Sequence, residues 1–158
     1  MVGFASVLCL AAWITIEMGG AMSTSTQGFD ELFLARLEEL LAERHPRLDL
    51  EIPTSGSRIG GPTADFVVSN PATGSWMVGE LKSGLQGQHL PFAMLPQMRA
   101  LRERFRSDRP HPGDVVVITT GRIPNLVREG LDRDGIGFLE VSSPEEAVER
   151  VNERLESL

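Results

Sequence analysis

The stretch DVVVIT, from Asp114 to Thr119, sets four β-branched apolar residues in a row. A strand that is apolar on both faces reads as a central strand of a sheet covered on both sides. The segments around it supply the covers. In GFDELFLARLEELLAERHP, Phe29, Leu32, Phe33, Leu37, Leu40 and Leu41 recur at amphipathic-helix spacing, and Pro46 stops the helix. RLDLEIP alternates into a short strand through Leu48, Leu50 and Ile52. ADFVVSN and SWMVGELK read as two strands joined by PATG, a connection of hairpin size.

Beyond the hairpin, Leu95, Met98, Leu101 and Phe105 mark a helix within Leu90 to Arg106, its start blurred by Pro91 and Pro96. After the central strand come a helix entered through Pro124 and ended near Gly135, the strand IGFLEV, and a last helix. Ser143 is expected to cap that helix, with Pro144 at its first position. The order α, β, β, β, α, β, α, β, α predicts one α/β domain, a mixed sheet with helices on both faces, over 23–158.

Charge narrows the function classes. The chain of 158 residues carries a net charge of −7, which disfavours indiscriminate binding of polyanions. The acids concentrate from Glu129 to Leu158, nine against three arginines, whereas Arg99 to Arg109 holds five arginines against two acids. A local basic stripe therefore survives in an acidic protein. The single cysteine, Cys9, excludes an internal disulfide framework, and His45, His89 and His111 stand too far apart to suggest a histidine metal site.

Residues 1–22 form an apolar leader with no Lys or Arg before Arg36, unlike a secretory signal, and its apolar run is short for a membrane span. A start at Met22 or a hydrophobic appendage is the expectation, with a cytoplasmic protein and no membrane partner.

Lys82 is the only lysine; the other basic residues besides histidine are arginines. If Asn70 pairs with Ser75 across the turn, Asp65 falls opposite Glu80, and Asp65, Val67, Ser69, Trp76, Val78, Glu80 and Lys82 share one face. Two carboxylates and one ammonium then converge at the open end of a hairpin. Like charges resist joint ionisation, and a hard divalent cation relieves that cost.

The segments PTAD (Pro62 to Asp65) and ELK (Glu80 to Lys82), with a hairpin between them, resemble the PD-(D/E)xK motif of the restriction-endonuclease-like nucleases. The predicted element order is similar to that superfamily's αβββαβ core from about Phe29 to Thr119, with a C-terminal helix-strand-helix extension. The resemblance implies a Mg²⁺-dependent nuclease, with Mn²⁺ as substitute and no small-molecule cofactor. In it, Asp65, Glu80 and the Leu81 carbonyl bind the metal and Lys82 assists the nucleophilic water.

It also points to an accessory glutamate among Glu31, Glu38 and Glu39, and to Gln97 on the following helix. Leu101 stands where the exonuclease branch has a tyrosine, which favours an endonuclease acting on DNA, and the small size without a recognisable sequence-reading module favours a homodimer or a larger nuclease complex. Arg99, Arg102 and Arg106 are candidate DNA-backbone contacts, as is Arg58 in the glycine-rich loop SGSRIGG.

Plainer readings stand beside these. Asp65, Glu80 and Lys82 would make a surface ion pair of little energetic weight, the arginines a solvated helix face, and SGSRIGG a flexible connection. The whole domain would then be a non-catalytic module that binds nucleic acid or protein.

Overall fold

The computed structural model describes residues 28–53 and 64–158. Leader residues 1–22, Pro62, Arg58 and the rest of SGSRIGG lie outside the described residues. The elements are α1 (Phe29–Arg44), β1 (Asp49–Glu51), β2 (Phe66–Ser69), β3 (Trp76–Lys82), α2 (Met94–Asp108), β4 (Gly113–Thr119), α3 (Asn125–Arg133), β5 (Gly137–Glu140) and α4 (Pro144–Leu155). Their order matches the sequence expectation, and the class is α/β with a mixed five-stranded open sheet.

Spatial order follows chain order, β1-β2-β3-β4-β5. The first three strands meander antiparallel, and β3, β4 and β5 run parallel. Parallel neighbours need crossovers, supplied here by α2 and α3. Their apolar residues Met98, Leu101, Val127 and Leu131 cover the face that carries Val67, Trp76, Val78, Val115 and Val117. On the other face, Phe33, Leu37 and Leu41 of α1 join Val148 and Val151 of α4 over Phe66, Val68, Met77, Val116 and Ile118. The run Val115 to Ile118 is buried because alternate residues serve both layers.

Local chemistry sets the boundaries. The N-cap of α4 forms as expected, with the Ser143 hydroxyl accepting the Glu146 amide and Pro144 in the first turn. The Glu146 carboxylate accepts the amide and hydroxyl of Ser142, each at 2.7 Å, and these bonds hold its pKa below the usual carboxylate range. Helix α2 begins at Met94, later than the apolar spacing from Leu90 suggests. Leu90 is instead a buried loop residue whose amide donates to the Arg122 carbonyl, and Pro96 falls in the first turn, where its missing N–H removes no helical bond.

The hairpin register pairs Phe66 with Gly79, Val67 with Val78, Val68 with Met77 and Ser69 with Trp76. The turn fixes it: the Asn70 amide donates to Ser75 at 2.9 Å, the Gly74 amide donates to Asn70 at 2.7 Å, and Gly74 takes φ +75°. Gly79 is needed for close packing, because the ring of its partner Phe66 lies across it, 2.0 Å from where a Cβ would stand. Gly79→Ala is expected to destabilise the domain by about 1–3 kcal/mol through overpacking. Denaturant unfolding measures this, and wild-type stability in that variant would show that the ring is not held there.

Candidate functional site

Because β3, β4 and β5 are parallel, their carboxyl ends share one edge of the sheet. Lys82, Thr119 and Glu140 form a row along it. The antiparallel β2 starts at that same edge, directly after Asp65. Open α/β sheets characteristically bind ligands at the carboxyl ends of their parallel strands. The amino ends of α2 and α3 open there too, neither with a side-chain cap. The positive ends of their helix dipoles favour negative charge nearby.

The observed pairing ends at Phe66 with Gly79, and Glu80 and Lys82 alternate with Val78 onto the face covered by α2 and α3. Asp65 precedes the ladder: its amide donates to the Gly79 carbonyl at 2.9 Å, and its Oδ2 accepts the Leu81 amide at 2.6 Å. The N–H and C=O of one strand residue leave on the same side. The Leu81 carbonyl therefore also faces the edge beside Asp65. Lys82 Nζ donates to Glu80 Oε1 at 2.6 Å, and the side chains of Glu80 and Lys82 are 12% and 31% exposed. This pair is partly covered rather than fully open to solvent.

Carboxylate and carbonyl oxygens are the donors that a hard divalent cation takes, and water and substrate oxygens complete its shell. Asp65, Glu80 and the Leu81 carbonyl fit such an ion in chemical type and in sharing one edge. No group of three or more His, Cys, Asp or Glu side chains gathers among the described residues, so a metal here would draw on the backbone as well.

The other sequence candidates are distributed as follows. Glu31 lies in the first turn of α1, at the same edge but over the opposite face; Glu38 and Glu39 lie further down that helix, with Glu39 bound to Arg36 at 2.9 Å. Gln97 is exposed in the first turn of α2. Arg99 pairs with Asp134, and the Arg102 guanidinium lies against Gly135. Both anchors precede β5, toward the edge opposite Lys82. Arg106 is exposed near the carboxyl end of α2. The structure thus binds Asp65 to the Leu81 amide and Lys82 to Glu80, and directs Arg99 and Arg102 elsewhere.

Two residues of the row escaped the sequence reading. Thr119 is the buried polar residue among the described residues, 0% exposed. Its signal was a hydroxyl ending the apolar run of β4. Glu140, which ends β5, accepts the Ile123 amide and the Arg128 guanidinium, and so fastens the entrance of α3. Comparison with family models, with curated proteins and with solved structures finds no match to this chain.

Removing the Asp65 carboxylate should leave the Leu81 amide without its acceptor. Asp65→Ala is expected to cost about 1–3 kcal/mol of stability, whereas Asp65→Asn, which keeps an accepting oxygen, should cost less. Equal losses in chemical denaturation would show that this hydrogen bond contributes nothing.

Proposed function

We propose that the chain is a Mg²⁺-dependent nuclease of the restriction-endonuclease-like kind that hydrolyses phosphodiester bonds in DNA as an endonuclease. One observation supports the reading: at the carboxyl edge of the parallel strands Asp65 accepts the Leu81 amide while the only lysine is ion-paired to Glu80, so both acids and the ammonium lie on or against three consecutive residues of β3. Asp65, Glu80 and the Leu81 carbonyl hold the ion. When bound, Mg²⁺ supplies a Lewis acid that polarises the phosphate and offsets its growing negative charge.

The residues of the chain then do the rest. Lys82, steadied by Glu80, directs its ammonium at the attacking water or at a phosphate oxygen, where a fixed positive charge stabilises the transition state. Water adds to phosphorus and loses a proton to solvent, and the bond to the leaving sugar oxygen breaks as that oxygen takes a proton from solvent. The amino ends of α2 and α3 add positive potential at the edge the phosphate approaches. Arg99, Arg102 and Arg106 contact backbone away from the cut, and a homodimer or a partner subunit supplies the second strand's site. No helix among the described residues is long and apolar enough to cross a membrane, and we place the protein in the cytoplasm with its substrate.

The rival reading is a non-catalytic module. It is favoured by the Asp65–Leu81 and Glu80–Lys82 contacts, which give these groups protein partners without any ion. Purified protein incubated with linear, circular and branched DNA and Mg²⁺ or Mn²⁺ separates the two. The nuclease cuts at least one substrate, stops with EDTA, and loses about 100-fold or more in Asp65→Asn and Lys82→Ala, the scale at which electrostatic groups of a site act. Undiminished cutting by both folded variants would end the assignment, and metal-independent silence with stable binding of DNA or protein would favour the module.

A further inference from the structure

The hydroxyl of the wholly buried Thr119 lies behind Lys82 rather than in front of it. Thr119 continues the alternation Val115, Val117 on the face under α2 and α3. A valine would satisfy that position as a strand former. The hydroxyl does what valine cannot: Thr119 Oγ1 donates to the Lys82 carbonyl at 3.1 Å and accepts the Gly121 amide at 3.0 Å. The ladder bond at this level is long, with the Thr120 amide 3.3 Å from the same carbonyl. Strands β3 and β4 part here, and the hydroxyl spans the gap.

The segment after Lys82 is pressed onto the same point. A Cβ on Gly121 would stand 2.8 Å from Leu85 Cβ and 3.0 Å from the Gln88 carbonyl oxygen. The Arg122 amide donates to Gln88 at 2.9 Å and the Leu90 amide donates to Arg122 at 2.8 Å, so the exits of β3 and β4 run together past the site. Thr119 is the side chain that joins both exits to the Lys82 backbone.

We propose that Thr119 is a positioning residue: its hydroxyl fixes the Lys82 backbone at the end of β3 and thereby the direction of the ammonium. This rests on Lys82 being the working group of the nuclease reading. Because the chain has one lysine, protein grown on ¹³C,¹⁵N-lysine gives a single side-chain signal, which reports on this position whether or not the protein cuts DNA.

The full chain is compared as wild type, Thr119→Val and Thr119→Ser. The valine variant should shift the lysine Cε signal and loosen its motion in relaxation measurements, and serine should restore both. Where cutting is measured, Thr119→Val should lower kcat by about two- to tenfold with KM unchanged, the range one neutral hydrogen bond carries, and serine should recover it. A folded valine variant whose lysine signal superimposes on the wild type overturns the proposal, as does an equal shift in valine and serine. Should valine prevent folding, Thr119→Ala against Thr119→Ser makes the same comparison with the same two outcomes. Absence of cutting by the wild type counts against the nuclease reading alone, since the lysine signal still decides the role of Thr119.

Discussion

A slip of one residue between β2 and β3 would exchange the two faces of the hairpin. Phe66, Val68 and Met77 would leave the layer under α1 and α4, and Val67, Trp76 and Val78 would leave the layer under α2 and α3. The register is therefore enforced from both sides at once, by two apolar layers and by the turn at Asn70 to Ser75. Glu80 and Lys82 take their shared face from it, and Asp65 stands at its end. Glu80 and Lys82 need no loop to hold them, because packing far larger than their mutual attraction sets where β3 stands, and Asp65 is tied to the same strand through Gly79 and Leu81.

The charge pattern follows the same division of the sheet. The acids that make the chain negative gather largely in α4 and at the end of α3, with Glu145, Glu149 and Glu156 exposed. Helix α4 packs on the layer opposite the one that carries the site. The arginines of α2 lie on the site's own layer. Topology thus sets the acids of α4 apart from the arginines of α2, while Asp134 at the end of α3 stays beside them and pairs with Arg99.

Much of this was legible from residue order. The alternation in ADFVVSN and SWMVGELK revealed both faces of the hairpin, and the unbroken run at Val115 to Ile118 revealed a strand covered on both sides. Ser143 and Pro144 announced α4 because a cap acts within one turn of chain. What escaped depended on segments distant in sequence. Arg99 meets Asp134 only because α2 and α3 lie side by side, and Thr119 meets Lys82 only through a parallel pairing that no turn residue announces. Leu90 read as helical because a buried loop residue and a helical one share the same apolarity.

The central claim is that Asp65 and Glu80 hold a divalent ion next to Lys82, and the lone lysine allows it to be tested without substrate. Mn²⁺ is paramagnetic and broadens nuclear signals near it, so it can be titrated into protein labelled at lysine. Ion binding at this edge broadens the single Lys82 signal at low Mn²⁺, and the broadening is lost in the Asp65→Asn, Glu80→Gln double variant. A lysine signal that stays sharp while Mn²⁺ binds, or that broadens equally in the double variant, would contradict a metal site at these carboxylates.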